Sequence, residues 1–228
     1  MPKIAFLACP DTLPGSPVRR PDAFEHDLLF DAIAAGLAGR AELVALDWRA
    51  PLAELAAFDL AYLGTPWDYT EAKDEFLERL EALEAAGVVV ANPVEVIRWN
   101  SDKLYLKELA DWRMDQAAMI QPFLPAIQSE GEHSFIFVDG QFSHGLIKQA
   151  SEGEYRIQSL YGGIEIAVEP AAADRAAAES VMAMLPFAQP PLYARIDMVR
   201  LDDGALAVIE AEVIEPHLYP LQGPEFGG

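Results

Sequence analysis

The segment Leu206–Pro216 reads LAVIEAEVIEP and places two carboxylates in an otherwise apolar, β-branched run. Side chains alternate between the two faces of a strand, so Glu210 and Glu212 are expected to point to the same side. Like charges this close repel each other, and burial increases the cost. The pair therefore marks either a half-solvated strand face or a divalent cation held between the carboxylates, because hard cations prefer oxygen ligands.

The residues before this segment supply a partner strand and further charges. The run LYARIDMVRLDDGALAVIEAEVIEP reads as a hairpin around Asp203-Gly204. Asp197 is then expected across the turn from the two glutamates, with Arg195 on the same face. Three carboxylates beside a base suit a polyphosphate bridged by Mg²⁺, since the acids hold the metal and the base holds phosphoryl oxygens. The alternative is a network of surface ion pairs.

Composition limits the partners of this chain. It has 228 residues, of which 52% are hydrophobic, and 37 acidic against 16 basic residues give a net charge of −21. Such a negative field disfavours nucleic acid as a partner, and no apolar run reaches the length of a membrane helix. Cys9 is the only cysteine, so an internal disulfide is impossible and a cytoplasmic location is expected.

The first part of the chain alternates between strand and helix patterns. The apolar runs PKIAFLAC, AELVALDW, FDLAYLG and VVVANP surround helical periodicity in FEHDLLFDAIAAGLAG and TEAKDEFLERLEALEAAG. This alternation predicts a parallel, three-layer α/β domain over residues 1–100. The loop GTPWDY follows the third strand at a carboxyl end, where such sheets bind ligands. Trp67, Asp68 and Tyr69 are therefore candidate substrate-binding residues, although the two aromatic rings could instead cap the core.

From residue 101 to residue 228 the pattern is α+β with mainly antiparallel strands. The run SDKLYLKELADW predicts a short helix with Ser101 as its N-cap, and HSFIFVDGQFSHGLIKQA predicts a hairpin about its Asp-Gly pair. Lys148 ends a strand of that hairpin and Arg156 follows shortly. Both bases are expected to add positive charge to the acidic face.

The terminal hairpin resembles a known motif. ARIDMVRLDDGALAVIEAE is similar to the metal-binding hairpin of the ATP-grasp ligases, the superfamily of D-alanine–D-alanine ligase and glutathione synthetase. The pattern there is R-x-D, a turn and E-x-N, so Glu212 replaces the usual Asn but keeps an oxygen ligand. The resemblance implies Mg²⁺ ions held by Asp197, Glu210 and Glu212. It also implies that Arg195 is catalytic and steadies the transferred phosphoryl group.

Upstream segments extend the resemblance. NSDKLYLKEL is similar to the segment whose lysine reaches the nucleotide phosphates, and MIQPFLP to the hinge that reads adenine. NPVEVIRWNSDKLYL, GEHSFIFVDGQFSHGLIK, YGG and IEPHLY resemble one bacterial branch, that of RimK- and glutathione-synthetase-like proteins and the O-ureido-D-serine cyclo-ligase of cycloserine biosynthesis. Gly162 and Gly163 of YGG join the candidate substrate site. The implied nucleotide-binding residues are Lys103, Gln121, Pro122, Phe123, Lys148 and Arg156.

One departure concerns the lid. ATP-grasp ligases insert a small α/β subdomain between the lysine segment and the hinge, whereas ADWRMDQAAMIQPF passes from one to the other with few residues. We therefore expect an ATP-grasp domain over residues 101–228 whose lid subdomain is missing between residues 112 and 117. Either the lid is lost, or the natural chain carries an additional mobile segment between Trp112 and Asp115.

The resemblance implies an ATP- and Mg²⁺-dependent ligase of the cytoplasm. ATP would phosphorylate a substrate carboxylate, and an amine or similar nucleophile would attack the acyl phosphate. The expected substrate is a small amino-acid-like molecule of amino-acid metabolism or antibiotic biosynthesis, and a homodimer is possible. Glu25, His26 and Asp27 are expected in a loop that helps to hold this substrate. The competing hypothesis is a degenerate nucleotide-binding or scaffold protein without turnover.

Overall fold

The structure, a computed structural model, describes residues 1–106, 124–151 and 162–223, and the backbone of residues 113–115 and 118–120. It forms two compact units, Met1–Ser101 with Ile214–Gly228, and Asp102–Val213. The predicted boundary near residue 100 thus lies within two residues of the observed one. The segment from Ile214 onward differs from the expectation, because it belongs to the first unit. Ile214 is buried in the apolar core of that unit, which explains the difference.

The first unit is built on the parallel sheet that the alternating pattern predicts. Its strands are β1 (Lys3–Ala8), β2 (Glu42–Asp47), β3 (Leu60–Thr65) and β4 (Val89–Val90), in the order β2-β1-β3-β4. The chain leaves β1 towards β2 on one side and later returns to β3 on the other. The strand order therefore reverses between β1 and β3, which is where ligands bind in open sheets of this type.

The two longest helices of the first unit follow the predicted periodicity, whereas two shorter helices were not predicted. Their bounds are α1 (Phe24–Leu37), α2 (Leu52–Leu55), α3 (Lys73–Ala85) and α4 (Val94–Asn100), with a 3₁₀-helix over Trp67–Glu71. At four residues, α2 is too short to carry a periodic signal. Glu25, His26 and Asp27 lie in the first turn of α1, so their expected placement in a loop was wrong.

An aromatic cluster fills one side of this sheet. The ring of Phe6 lies 4.9 Å from that of His26, 5.5 Å from that of Phe30 and 5.5 Å from that of Tyr62, centroid to centroid. Gly64 on β3 faces the same ring, and a Cβ built there would overlap the ring carbons of Phe6. Residue 64 therefore needs glycine for packing and not for turn formation.

The second unit contains a five-stranded antiparallel sheet. Both predicted hairpins are present, and the first turns through Asp139 and Gly140 with φ of 48° and 70°. Two successive positive φ angles are typical of the tight turn that Asp-Gly favours. The strands are β7 (Glu132–Val138), β8 (Gln141–Gln149), β9 (Ile164–Val168), β10 (Tyr193–Arg200) and β11 (Leu206–Glu212). Their order in the sheet is β11-β10-β7-β8-β9.

This sheet has one apolar and one charged face. Phe135, Ile196 and Met198 are buried on the first face, where the helix α6 (Ala172–Met184) packs on β10 and β11. The register aligns charged residues in rows on the other face, because residues directly opposite in adjacent strands point the same way. The rows are Glu212–Arg195, Glu210–Asp197–Ser134 and Glu132–Lys148–Glu165.

Short elements complete the second unit. A 3₁₀-helix spans Lys103–Tyr105, α5 spans Ala126–Ser129, and β5 (Arg113–Asp115) pairs with β6 (Ala118–Ile120). The prediction of a missing lid between residues 112 and 117 is not confirmed and stays a prediction, since 107–112 and 116–117 lie outside the described residues. Arg113, Met114 and Asp115 are consecutive in β5.

The predicted cap of the segment after residue 100 was wrong. The helix α4 runs to Asn100, and the Ser101 hydroxyl donates back to the Arg98 carbonyl at 2.9 Å. Asp102 caps the following 3₁₀-helix instead, because its carboxylate accepts from the backbone N–H of Leu104 at 3.0 Å. None of the helices among the described residues is long and apolar enough to cross a membrane.

We expect Gly64→Ala to lower the free energy of unfolding by about 1–3 kcal/mol, the range for overpacking a filled core. The Phe6 ring has little room to move because three other rings surround it. Urea unfolding followed by circular dichroism measures the change. The double variant Gly64→Ala/Phe6→Leu should cost less than the sum of the single changes, because the smaller side chain makes room for the methyl group. Strict additivity would contradict the contact.

Candidate functional site

Asp197 lies at the centre of the charged face of the second unit, with only 1% of its surface exposed. Its carboxylate accepts from Ser134 Oγ at 2.6 Å and from Arg195 Nε at 2.9 Å and 3.2 Å. Lys148 Nζ lies 3.3 Å from Asp197 Oδ1. The predictions that Arg195 shares a face with Asp197, and that Lys148 adds positive charge there, are therefore confirmed.

The surroundings keep Asp197 ionised despite its burial. Burial by itself raises the pKa of this carboxyl, but the positive charges of Arg195 and Lys148 and the hydrogen bond from Ser134 outweigh it, and the pKa falls to about 2. A carboxylate that is charged and held by three donors has a fixed orientation. Asp197 is thus a permanent negative charge that orients the bases around it.

Glu210 and Glu212 occupy the same face, as the alternation predicts. Arg195 Nη2 donates to Glu212, and Lys103 Nζ donates to Glu210. Burial raises the pKa of Glu212; Arg195 opposes that rise, while the negative charges of Glu210 and Asp197 add to it. The three carboxylates therefore act on one another through their charges, and a cation placed among them would reduce that repulsion.

The side chains of Asp197, Glu210 and Glu212 are of a type that can bind a divalent cation. Carboxylate oxygens are the ligands that Mg²⁺ takes, and the Glu210 side chain is 32% exposed, which leaves it open to a hydrated ion. In the described part of the chain, however, no three acidic, histidine or cysteine side chains converge in a geometry that could hold a metal ion. Each predicted ligand accepts instead from a base, so the Mg²⁺ site at Asp197, Glu210 and Glu212 stays a prediction.

Sequence reasoning missed one acid of this site. Glu132 is buried and forms an ion pair with Lys148. The ammonium group of Lys148 therefore lies between the carboxylates of Glu132 and Asp197. Burial raises the pKa of Glu132 to about 7, although the charge of Lys148 opposes the rise. The sequence did contain a signal for Glu132, because Glu132 and Ser134 are two residues apart on one strand and share a face, as Glu210 and Glu212 do. With its side chain 7% exposed, Lys148 is not a surface lysine.

Tyr105 is the second residue that the sequence did not reveal. Its buried hydroxyl accepts from the backbone N–H of Ala211 at 3.2 Å, which attaches the 3₁₀-helix to the outer edge of β11. Lys103, on the same 3₁₀-helix, therefore reaches Glu210 although 107 positions separate them. An internal edge contact of this kind has no sequence signature, because a tyrosine at this position reads as an ordinary core residue.

The candidate substrate residues of the first unit pack within it. The carboxylate of Asp68 accepts from Trp48 Nε1 at 2.7 Å and pairs with Arg49. Tyr69 lies 5.1 Å from the ring of Phe76, and Trp67 lies 5.0 Å beneath the guanidinium of Arg20. Both aromatic side chains contact the apolar core, as the core-capping alternative expects. Their role in substrate binding stays a prediction.

His26 lies beside the carboxyl end of β3 in the first unit. Its Nδ1 is 2.7 Å from the hydroxyl of Thr65, and that hydroxyl is 3.1 Å from that of Thr12. Burial lowers the pKa of His26 and keeps the ring neutral near pH 7. Within the described chain its Nε2 is buried and has no hydrogen-bond partner. A buried polar atom of this kind beside the strand-order reversal suits a polar ligand or a bound water.

Several predicted site residues are not part of this geometry. Gly162 has a positive φ of 81°, and Gly163 immediately precedes β9. No contact of the described residues tests their role in substrate binding. Four predicted nucleotide-binding residues lie outside the described residues: Gln121, Pro122, Phe123 and Arg156.

Comparison with known proteins agrees with this architecture. Residues 4–92 match the family model described as the N-terminal domain of D-cycloserine synthetase DcsG. The crystal structure of D-cycloserine synthetase DcsG superposes with a TM-score of 0.78 at 19% identity and covers 97% of this chain and 94% of the other. The chain has the ATP-grasp fold. The predicted resemblance to the ATP-grasp ligases, in the branch of the cycloserine enzyme, is confirmed.

Two further comparisons show how much of the chain the similarity to ATP-grasp proteins covers. The cycloserine biosynthesis protein DcsG of Streptomyces lavendulae is 23% identical over 242 residues, covering 75% of this chain and 81% of that protein. D-alanine–D-alanine ligase from Bacillus anthracis superposes with a TM-score of 0.59 at 13% identity, covering 96% of this chain and 87% of the ligase chain. The ATP-grasp likeness thus extends over both units.

We expect Asp197→Asn to destabilise the protein by about 3 kcal/mol at pH 7, because it leaves Arg195 and Lys148 buried with one carboxylate fewer. The pKa of Asp197 is lower in the folded protein than the ordinary aspartate value of 3.8. Its contribution to stability is therefore present above about pH 4 and is lost as the pH falls towards about 2. Urea unfolding of wild type and variant at pH 7 and pH 3 should show the difference shrinking.

The matched control for that measurement is Asp202→Asn, an exposed acid in the turn of the same hairpin. It should change stability by less than about 0.5 kcal/mol at either pH. An equal effect of the two substitutions at pH 7 would contradict the assignment of Asp197 as the electrostatic centre of the site.

Proposed function

We propose that this protein is an ATP-dependent ligase that joins the carboxylate of a small amino-acid-like molecule to an amine or similar nucleophile. The observation that carries the proposal is the charged face of the second unit. Lys148 and Arg195, on strands of the sheet, and Lys103, on the 3₁₀-helix, form ion pairs there with carboxylates. In a chain with 37 acids and 16 bases, a polyphosphate can bind only where local cations offset the background field.

Each base has a distinct position in this proposal. Lys148 is held in place by Glu132 and Asp197 and offers a fixed charge to a phosphate. Lys103 extends from the 3₁₀-helix and is half exposed, so it can follow the nucleotide. Arg195 presents a planar guanidinium, which suits a phosphoryl group during transfer because it can form two parallel hydrogen bonds.

The acidic residues of the same face are the proposed ligands of magnesium. Asp197, Glu210 and Glu212 would hold it, and the ion would supply neutralisation of the phosphate charge when bound. The residues themselves position the reactants: Arg195 steadies the transferred phosphoryl group, and the substrate carboxylate receives it to form an acyl phosphate. The nucleophile then displaces phosphate from this mixed anhydride. This chemistry needs positioning and charge neutralisation and requires no covalent bond to the enzyme.

The substrate class is proposed from the relatives and from the first unit. The similar proteins named as D-cycloserine synthetase and D-alanine–D-alanine ligase act, by their names, on amino-acid-derived compounds. The strand-order reversal between β1 and β3 is a suitable location for such a small polar molecule, because the buried Nε2 of His26 nearby has no hydrogen-bond partner among the described residues. We therefore place this protein in amino-acid metabolism or antibiotic biosynthesis.

A nucleotide-binding protein without turnover is the second candidate. It is favoured by the few residues that separate the lysine segment NSDKLYLKEL from MIQPFLP in the sequence, since a lid normally excludes water during phosphoryl transfer. The two candidates differ in one measurement. Release of ADP or phosphate that depends on an added amino acid supports the ligase, and tight binding of ADP without any such release supports the binding protein.

We expect Glu210→Gln to abolish Mg²⁺-dependent ADP binding in calorimetry while the protein stays folded. Glu210 is the most exposed carboxylate of the set, so the change removes a proposed metal ligand and leaves the buried ion pairs of Asp197 in place. Glu42→Gln is the matched control, because Glu42 also pairs with a lysine, Lys3, but lies in the first unit. Equal Mg²⁺-dependent affinities of wild type, Glu210→Gln and Glu42→Gln would rule out the metal assignment.

A further inference from the structure

The carboxylates that would hold the metal are the same groups that the bases of the site already bind. Glu210 accepts from Lys103, and Glu212 accepts from Arg195. Asp197 accepts from Arg195 and Lys148. Each proposed metal ligand is thus bonded to a proposed phosphate ligand. The carboxylates cannot bind a metal ion, and the bases cannot bind a phosphate, without giving up hydrogen bonds to each other.

The charges of this cluster are nearly balanced. In the described part of the chain, three bases (Lys103, Lys148 and Arg195) form ion pairs with four carboxylates (Glu132, Asp197, Glu210 and Glu212). A divalent cation that binds alone brings two positive charges and must displace ammonium or guanidinium groups from the carboxylates. A polyphosphate that binds alone must draw the bases away and leave the carboxylates unpaired. Binding of either ligand alone therefore leaves charged groups of the cluster without their partners, which weakens that binding.

We infer that Lys103 is an internal counter-ion that occupies Glu210 until a nucleotide phosphate draws it away, so that divalent cation and nucleotide bind cooperatively. This inference rests on the proposed function, because it assigns the same face to both ligands. When Lys103 turns from Glu210 to a phosphoryl oxygen, Glu210 is released for the cation. Arg195 makes the equivalent exchange from Glu212. The coupling is reciprocal, because each ligand raises the affinity for the other by the same factor.

Lys103 is the base best placed to make this exchange. Its side chain is 49% exposed, and among the described residues its ammonium group forms its ion pair with Glu210. Lys148, by contrast, is enclosed by two carboxylates and is 7% exposed. Tyr105 holds the backbone of the 3₁₀-helix to β11 through Ala211, so the movement is confined to the flexible lysine side chain.

The test compares Lys103→Met with wild type in the binding of Mn²⁺ as the divalent probe. Electron paramagnetic resonance counts free Mn²⁺, first with the protein alone and then with saturating ADP. Without ADP, Lys103→Met should bind Mn²⁺ about fivefold more tightly, the upper range for releasing a partly exposed ion pair. In wild type, ADP should raise the Mn²⁺ affinity, and in Lys103→Met that enhancement should shrink by about the same factor.

Lys3→Met is the matched control. Lys3 is also a half-exposed lysine that pairs with a glutamate, Glu42, but it lies in the first unit, and its removal changes the net charge by the same amount. It should behave like wild type in both measurements, which separates the local exchange from the general effect of one charge. Lys103→Gln serves as the second variant and should reproduce Lys103→Met. Thermal unfolding confirms that the variants are folded.

The outcomes separate the inference from the proposed function. One outcome is that wild type binds Mn²⁺ and ADP, while both Lys103 variants show the same Mn²⁺ affinity and the same enhancement by ADP as Lys3→Met. That result overturns the counter-ion role of Lys103 and leaves the proposed nucleotide site in place. If wild type binds no ADP with or without Mn²⁺, the proposed function itself is overturned, and the inference with it.

Discussion

The carboxylate of Asp197 and the three groups that donate to it determine how the second unit is assembled. Ser134 lies on β7, Lys148 on β8 and Arg195 on β10, so their hydrogen bonds to one carboxylate connect three strands. A shift of one residue in β7 or β8 would move a charged side chain to the apolar face and remove one of the donors to the buried Asp197. The charge cluster and the apolar face thus specify the same register.

Such a cluster is a poor source of stability, which bears on its function. Removing charges from water costs several kcal/mol per ion, and replacing a buried ion pair by apolar residues is often neutral or stabilising. The opposite face of the sheet already supplies a core through Phe135, Ile196 and the helix α6. Seven charged side chains on adjacent strands are therefore better explained by a charged ligand than by folding. The alternation of acids with bases suits a ligand that is both anionic and metal-bound.

The elements that could be predicted from the sequence are those specified by local patterns. The alternating strands and helices of residues 1–100, both Asp-Gly hairpins and the shared face of Glu210 and Glu212 follow from side-chain periodicity and turn chemistry. The cap at Ser101 was wrong because two adjacent residues, Ser101 and Asp102, can both cap. Which of them does so depends on where α4 ends, and packing decides that. The membership of Ile214 in the first unit depends on a core built from residues far away in the chain.

By itself, the sequence determined the alternation of charge along each strand, the hairpin that joins Asp197 to the two glutamates, and the resemblance to the ATP-grasp ligases. Only the tertiary structure decided which charges meet. The ion pair of Lys103 with Glu210, the edge contact of Tyr105 and the enclosure of Lys148 by Glu132 join positions that no local pattern relates. The physical reason is that periodicity specifies the face on which a side chain lies, whereas the neighbours on that face depend on strand order and register.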